Sequence, residues 1–406
     1  MTDVSHAAAS AAADSTDTLS CTRDPAELAA WLRLTETPGV GPVAARQLLA
    51  AFGLPQDIFA QPYSALVKVV PERHARALLA EPDAALASLI ERTVVWANTP
   101  GNAVFTLADR GYPPRLLELP DPPTLLYTKG DVSLLRAAAV GVVGARSATA
   151  AGIENARAFA QALSAASVTV VSGLALGIDA AAHEGALAGP GSTIAVVGTG
   201  LDIVYPARNR ALAHRIAEAG LIISEYPLGM GARAENFPRR NRLIAGLARG
   251  LLVVEAAAQS GSLITARLAG EQGRDVFAIP GSIHSPLAKG CHLLIKQGAK
   301  LVETAADILD ELGWASAAAP ERRTRPAASA PPSAQPASAA HAPAARTPPN
   351  AAETALLDAL GFDPVDLDTL CERTGQPAAA LSAQLLALEL DGRVERQPGG
   401  RFLRLP

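Results

Sequence analysis

The sequence predicts an α/β protein with a Rossmann-like, doubly wound and mostly parallel sheet, a small N-terminal helical domain and a C-terminal winged-helix domain. Between about residues 99 and 315, short apolar runs alternate with helical segments, the pattern of parallel strands joined by crossover helices. The turns that follow these runs are rich in glycine and serine. Residues 351–406 contain helical segments followed by a hairpin with a Pro-Gly-Gly turn, which is the order of elements in a winged helix.

The chain begins with a segment that we expect to be disordered. Residues 1–24 are mainly alanine, serine, threonine and aspartate, so they cannot bury enough apolar surface to fold. A helical pattern then predicts a domain over residues 25–98. Its turn at residues 37–41, Thr-Pro-Gly-Val-Gly, resembles a helix-hairpin-helix module, in which loop N–H groups contact a phosphate backbone. A plain turn between packed helices is the alternative.

The domain over residues 99–315 carries the predicted sheet. Most of its expected strands are continuous apolar runs of four or five residues, as expected where helices cover both faces of a sheet. The predicted strands are 139–143, 168–172, 193–197, 221–224, 251–255, 276–279 and 300–302.

Two further segments follow the sheet. Residues 316–350 are dominated by alanine, proline, serine and arginine, a composition that predicts an extended linker. The winged-helix domain then covers residues 351–406, with helices expected near 352–360, 365–374 and 377–390.

The charge of this last domain is unusual for a sequence-reading winged helix. A helix that reads the major groove presents basic or polar side chains, but residues 376–390 contain no lysine or arginine. The positive charge lies in the wing instead, so we expect that this domain does not read a DNA sequence. The wing arginines are Arg393, Arg396, Arg401 and Arg404.

Composition excludes several classes of protein. The chain has 35 basic and 39 acidic residues and a net charge of −4, so a polyanion must meet a local patch. Cys21, Cys291 and Cys371 have no CxxC spacing, which argues against a disulfide framework and a cysteine zinc site. No apolar run reaches about 18 residues, so we expect no membrane span. The N-terminus also lacks the basic-then-apolar pattern of a secretory signal.

Residues 236–246, Asn-Phe-Pro-Arg-Arg-Asn-Arg-Leu-Ile-Ala-Gly, are the stretch around which the predicted site is organised. Pro238 suits the first turn of a helix, which places Arg239, Arg240 and Arg242 in the first turn and a half. Cations there oppose the helix dipole, at a cost of roughly a few tenths of a kcal/mol each. A bound anion would compensate, because N–H groups, dipole and guanidinium forks would all face it. A solvated basic turn is the alternative.

Other residues of the predicted site follow the ends of the strands. In an open α/β sheet the ligand lies beyond the carboxyl ends of the strands. Gly144 would let the backbone approach a ligand there, and Arg146 would project from the same turn. Ser260 would open a helix whose N-terminus forms a phosphate cradle. Together these turns predict an anionic ligand spread along one sheet edge; their other residues are Gly173, Gly198, Gly261 and Ser262.

Known small-molecule and catalytic patterns are missing. The first turn is not GxGxxG and no GxxxxGK[ST] run exists, so neither a dinucleotide site nor a P-loop is predicted, and we expect no cofactor. Asp179 and His183 share a helix face but have no nucleophile at recognisable spacing, so we assign them capping and packing. Glu225 and Glu255 end strands and are expected to orient arginines or serines. We therefore predict no catalytic residue and no metal site.

In the same order, these motifs resemble those of the DNA-processing protein A family (DprA, also called Smf), from about residue 35 to the C-terminus. They include Val-Gly-Ala-Arg at 143–146, Ser-Gly-Leu-Ala-Leu-Gly-Ile-Asp at 172–179, Phe-Pro-Arg-Arg-Asn-Arg at 237–242 and Ser-Gly-Ser-Leu-Ile-Thr-Ala at 260–266. The resemblance implies a cytoplasmic, non-catalytic homodimer that binds single-stranded DNA during natural transformation. Such proteins protect the incoming strand and load the RecA recombinase onto it.

The resemblance also assigns roles to residues. It implies DNA contacts by Arg146, Arg239, Arg240 and Arg242, in a pocket shaped by Gly144, Gly173, Gly198, Gly261 and Ser262. One position departs from the family, because some relatives have a basic residue where this chain has Leu176. Single strands usually stack on aromatic side chains as well, and Tyr205, Tyr226 and Phe237 lie beside the basic turns.

Two other functions stay open from the sequence. Nucleotide-cleaving phosphoribohydrolases share a related core, but their Pro-Gly-Gly-x-Gly-Thr loop is missing, and Pro-Gly-Ser at residues 280–282 is a poor substitute. The other alternative is a structural adaptor that acts through its winged helix.

Overall fold

A computed structural model describes residues 24–314, 351–397 and 399–405. The predicted disordered segment, apart from Asp24, and the predicted linker lie outside the described residues. The described part divides into two compact units. The first holds the N-terminal helices and a large sheet, whereas the second consists mainly of residues after Ala305.

The first unit begins with helices packed around small apolar clusters. The Asp24 carboxylate accepts the Ala26 N–H at 3.0 Å and caps the first helix. Leu28, Trp31 and Leu32 of that helix are buried against Tyr127 of the sheet, so the helices and the sheet share a core. The helices are α1 Pro25–Glu36, α2 Pro42–Phe52, α3 Pro55–Phe59, α4 Tyr63–Leu66, α5 Glu72–Leu79 and α6 Ala84–Ala97.

Within the described residues, nine strands form one sheet in the order β1-β2-β6-β5-β4-β3-β7-β8-β9. All neighbours from β6 to β9 are parallel, whereas β1 and β2 are antiparallel to their neighbours. The strands are β1 Asn102–Thr106, β2 Leu125–Gly130, β3 Ala139–Val143, β4 Thr169–Ser172, β5 Thr193–Val196, β6 Leu221–Ser224, β7 Gly250–Val253, β8 Asp275–Ala278 and β9 Lys300–Leu301.

Helices connect these strands and cover the sheet. Helix α9 packs with α10 over the half of the sheet that contains β4 to β6, whereas α11 packs with α12 across β3, β7 and β8. The helices that follow α6 in this unit are α7 Pro114–Leu117, α8 Ala150–Ala165, α9 Ile178–Ala186, α10 Arg210–Ala219, α11 Asn236–Leu247, α12 Gly261–Glu271 and α13 Lys289–Lys296. The next helix, α14 Ala305–Glu311, belongs to the second unit from Ala306 onward.

This topology confirms the predicted doubly wound fold. The chain runs outward from β3 through β4, β5 and β6, and then crosses back to place β7 on the other side of β3. All seven predicted strands are present with ends within two residues of the prediction. The pair β1 and β2 was not predicted, and it extends the sheet beyond β6 with antiparallel strands.

The second unit contains a winged helix. Its elements are α15 Ala351–Leu360, β10 Val365–Asp366, α16 Leu367–Thr374, α17 Ala378–Leu390, β11 Val394–Gln397 and β12 Arg401–Arg404. The strands form a small antiparallel sheet in the order β10-β12-β11. Leu381, Leu385 and Leu388 of α17 are buried with Leu370 and Phe402 in the core of this unit.

Candidate functional site

A cleft of about 770 Å³ lies at the carboxyl ends of β3 and β7. This is the point where the strand order reverses, and open α/β sheets bind ligands at such a point. Three segments line the cleft: the turn after β3, the first turn of α11 and the start of α12. Their lining residues include Gly144, Arg146, Phe237, Pro238, Arg240, Asn241, Ser260, Gly261 and Ser262.

Arg146 is held at the mouth of the cleft by the turn after β3. The Ala145 carbonyl accepts the Ile178 N–H at 3.2 Å, which ties this turn to the start of α9. A methyl group at Gly144 would lie 2.6 Å from Ile178 Cγ1, so the glycine permits close packing against that helix. The Arg146 side chain stays exposed, with its guanidinium carbon 5.9 Å from the centre of the Phe237 ring. A cation is therefore presented to solvent on a fixed backbone.

The loop after β4 is fixed by Asp179 and His183. The Asp179 carboxylate accepts the N–H groups of Gly173 and Ala175 at 3.1 and 3.3 Å. His183 Nε2 accepts the Leu174 N–H at 3.3 Å, and Nδ1 lies 2.7 Å from the Thr193 hydroxyl. Burial lowers the pKa of His183 to about 3, so the ring is neutral at physiological pH. Both side chains hold a loop in place, as their assigned capping and packing roles require.

Arg240 reaches inward from α11, beneath the cleft. It is buried, donates to the Val196 carbonyl and lies close to Asp179. A methyl group at Gly173 would collide with the Arg240 guanidinium, so the glycine makes room for this side chain. Burial lowers the pKa of Arg240 to about 10, against the attraction of Asp179. The residue remains cationic at neutral pH and adds positive charge to the floor of the cleft.

Arg242 lies outside the cleft, contrary to the expectation that all three arginines of α11 face one anion. It is buried, and it pairs with Glu225 Oε2 at 2.6 Å and with Asp121 Oδ2 at 2.9 Å. Arg239 is 48% exposed, and its Nε lies 3.8 Å from Glu225 Oε1. The charge clustering at the start of α11 is therefore compensated largely by carboxylates of the protein. The expected orienting role of Glu225 agrees with these contacts.

The start of α12 forms the opposite wall of the cleft. The Ser260 hydroxyl accepts the Ser262 N–H at 3.3 Å and lies 2.6 Å from the Ser262 hydroxyl. A methyl group at Gly261 would meet no atom within 4 Å, so this backbone faces open space. The positive end of an 11-residue helix is thereby directed at the same cleft as Arg146 and Arg240.

Two of the three candidate aromatic side chains lie at the cleft. Tyr205 is 50% exposed, and the centre of its ring lies 5.5 Å from that of Phe237. Tyr226 is instead buried and donates to the Asn236 carbonyl at 3.1 Å, which excludes it as a stacking surface. Gly198 lies directly beside the Phe237 ring, because a methyl group at Gly198 would come 3.2 Å from that ring.

Asparagines that support the site had no predicted role. The Asn236 amide donates to the Gly198 carbonyl at 2.9 Å and ties α11 to the turn after β5. The Asn209 amide donates to the carbonyls of Leu174 and Ala175 at 2.9 and 3.1 Å. Their partners lie 34 to 38 residues away in sequence, so no local pattern marks them.

Two further classes of site were searched for in the described part of the chain. There, no cluster of three or more histidine, cysteine or acidic side chains could hold a metal ion. None of the helices there is long and apolar enough to cross a membrane.

Two models of known protein families match this chain. The family model for DNA recombination-mediator protein A matches residues 103–313, and the model for the DprA winged helix domain matches residues 325–400. Protein Smf of Escherichia coli is 40% identical over 317 residues, covering 78% of this chain and 81% of that protein. Protein Smf of Synechocystis is 36% identical over 410 residues, covering 93% and 99%.

A solved structure is similar as well. The X-ray structure of DNA processing protein A from Streptococcus pneumoniae matches with a TM-score of 0.60 and 39% identity, over 69% of this chain and 95% of that one. The two family models together cover the nine-stranded sheet and most of the winged helix. The chain belongs to the DprA/Smf family of DNA-processing proteins.

Proposed function

We propose that the cleft binds single-stranded DNA without cleaving it. Arg146, Arg240 and the start of α12 supply positive charge for phosphate groups. Tyr205 and Phe237 supply an aromatic surface on which unpaired bases can stack. The observation that carries the proposal is this combination in one cleft, because phosphate charge and exposed base faces occur together in a single strand.

The site residues of this proposal differ in their roles. Arg146 and the backbone around Gly261 and Ser262 are direct phosphate contacts, whereas Arg239 is exposed but does not line the cleft. Gly144, Gly173 and Gly198 act by shaping the cleft. Arg240 acts from beneath as a fixed positive charge, and Arg242 acts by holding α11 through its carboxylate partners.

Measuring the affinity for DNA at increasing salt concentrations tests whether Arg146 contacts a phosphate group. Replacing it by glutamine should weaken binding to an oligothymidylate about tenfold, or 1.4 kcal/mol. It should also reduce the magnitude of the slope of log affinity against log salt concentration by about 0.7, the value for one phosphate contact on a single strand. Fluorescence anisotropy with a labelled oligonucleotide measures both quantities.

The matched control is Arg267→Gln, which removes an equal charge from a side chain that is 79% exposed on α12. This variant should leave affinity and slope within twofold of the wild type. The proposal fails if both variants behave alike, or if the wild type does not bind single strands at low salt. Release of base or phosphate from a nucleotide by the purified protein would instead favour the phosphoribohydrolase-like alternative.

We further propose that the protein is a cytoplasmic homodimer that protects incoming strands and loads RecA onto them. The supporting observation is the match to a family described as recombination mediators. Addition of the protein should increase the initial rate of RecA filament formation on strands coated with single-strand-binding protein. The Arg146→Gln variant should lose most of that increase, because loading requires a held strand. If the wild type and the Arg146→Gln variant increased the rate of filament formation equally, RecA loading would not depend on the cleft.

A further inference from the structure

A second basic surface lies at the amino edge of the sheet, away from the cleft. The chain passes over this edge in residues 110–119, where Leu116 and Leu119 pack against Gly246 of α11. Arg249 immediately precedes β7, and its N–H donates to the Ala139 carbonyl at the start of β3. Arg274 immediately precedes β8. Arginines therefore stand at the starts of neighbouring strands.

Specific contacts bring other arginines to this edge. Arg136 donates to the Arg110 carbonyl at 2.8 Å, and Arg46 of α2 donates to the Leu119 carbonyl at 3.1 Å. Desolvation lowers the pKa of Arg115, and the positive charges of Arg274 and Arg249 lower it further, so these three cations lie within electrostatic range of one another. We call this set the amino-edge patch; it consists of Arg46, Arg110, Arg115, Arg136, Arg249 and Arg274.

Carboxylates do not balance this charge as they do at α11. Glu118 pairs with Arg274 at 2.6 Å, and Asp275 begins β8 nearby. The Asp109 carboxylate accepts hydrogen bonds from the Thr106 N–H and hydroxyl, and Asp121 pairs with Arg242. Among the described residues, by contrast, Arg46, Arg110, Arg115 and Arg136 form no ion pair with a carboxylate. Guanidinium groups that repel one another are stabilised by an anion with many oxygen atoms.

The rest of this surface favours a nucleic acid over a protein. Interfaces between proteins usually have an apolar centre with aromatic anchors. In residues 110–119, Leu117 is the large apolar side chain that is exposed, and one leucine does not form such a centre. Arginine forks bind phosphate groups in two-point contacts and need no particular base.

We propose that the amino-edge patch is a second contact surface for the phosphate backbone of single-stranded DNA, separate from the cleft. The choice of ligand rests on the proposed function of the cleft. A volume of about 770 Å³ is that of a pocket for one small ligand, so the cleft encloses only a short stretch of a strand. The remainder of a longer strand must run over the surface, and the patch gives it a path.

Strand length determines which DNA can reach both surfaces. The edges are separated by strands of four or five residues, or roughly 15 Å at about 3.3 Å per residue. A route around the outside of the molecule is longer than that. An oligonucleotide of about 6 residues has the length of a single binding site, whereas one of about 30 should contact both surfaces, given typical sites of about 4–16 nucleotides.

The test is a comparison of these two oligothymidylates on the full chain. The double variant Arg110→Glu, Arg115→Glu should bind the long strand about tenfold more weakly, with a salt slope flatter by about 1.4 for two contacts. Its affinity for the short strand should stay within twofold of the wild type. The variant Arg73→Glu, Arg76→Glu makes the same charge change on α5 and serves as the control, expected to match the wild type. Circular dichroism melting of each variant establishes that it is folded.

The outcomes separate this proposal from that of the cleft. If the patch variant binds the long strand as the wild type does while Arg146→Gln still weakens binding, the patch proposal is wrong and the cleft proposal stands. An equal loss in the α5 variant would also overturn it, because the effect would then be one of overall charge. If the patch variant loses binding to polyglutamate and not to DNA, the surface serves an acidic protein partner instead. If the wild type binds neither oligonucleotide, both proposals fall.

Discussion

Single residues of α11 take different roles although they are adjacent in sequence. Each residue turns the side chain by about 100° around a helix, so Arg240 points into the fold while Arg239 and Arg242 lie on another face. Arg242 meets Glu225, whose side chain is only 5% exposed. A buried charge without a partner is far more costly than an exposed one, so Arg242 and Glu225 have to stay together in the folded protein.

Removing Arg242 should therefore destabilise the fold more than it affects phosphate contacts directly. We expect Arg242→Ala to lower the free energy of unfolding by about 3–5 kcal/mol, because Glu225 and Asp121 lose their partner. Urea denaturation of both the variant and the wild type measures this difference. Arg267→Ala breaks an exposed pair with Glu271 and should cost less than about 1 kcal/mol. Similar losses in the two variants would show that the Arg242 network contributes no more than a surface pair.

At the level of elements, some arginines of the winged-helix domain contact other groups of the same domain. Arg404 donates to the Leu357 carbonyl at 3.2 Å, and Arg393 lies 3.9 Å from Glu353. Arg396 and Arg401 stay exposed on the wing. The outward face of α17 presents Ser382, Ala383 and Leu386, so it offers no cation to a groove.

Deletion of residues 351–406 should leave most of the affinity for single-stranded DNA. The charges and aromatic side chains that we assign to DNA all lie before Ala305. We expect the dissociation constant to change by less than tenfold, or 1.4 kcal/mol, in the anisotropy assay. A larger loss from a folded truncated protein would assign the winged helix a direct part in binding.

At the scale of the whole molecule, positive charge is concentrated in local regions although the net charge is negative. The net charge is −4, yet the cleft and the amino-edge patch each concentrate arginines in the unit that contains the large sheet. Electrostatic attraction of a polyanion depends on such local fields and weakens with salt. A chain with a negative total can therefore still hold DNA at defined surfaces.

Much of this organisation was predicted from the sequence because its causes are local. Strands covered by helices on both faces are continuous apolar runs, which located β3 to β9, and glycine-rich turns marked the edge that carries the cleft. Strands β1 and β2 were missed because they precede the regular alternation and pair antiparallel at the end of the sheet. The motifs also identified the family, since their order along the chain needs no structure to be read.

The sequence by itself determined the order of the elements from β3 onward, the family and the sheet edge that carries the cleft, because each depends on residues close together in the chain. The tertiary structure decided which arginines pair with groups of the protein and which stay exposed to a ligand. Asp121 lies 121 residues before Arg242 and pairs with it at 2.9 Å, Arg240 reaches the end of β5, and Arg146 stays exposed at the mouth of the cleft. The physical reason is that a charge is placed by its nearest partner in space, and folding brings those partners from distant parts of the chain.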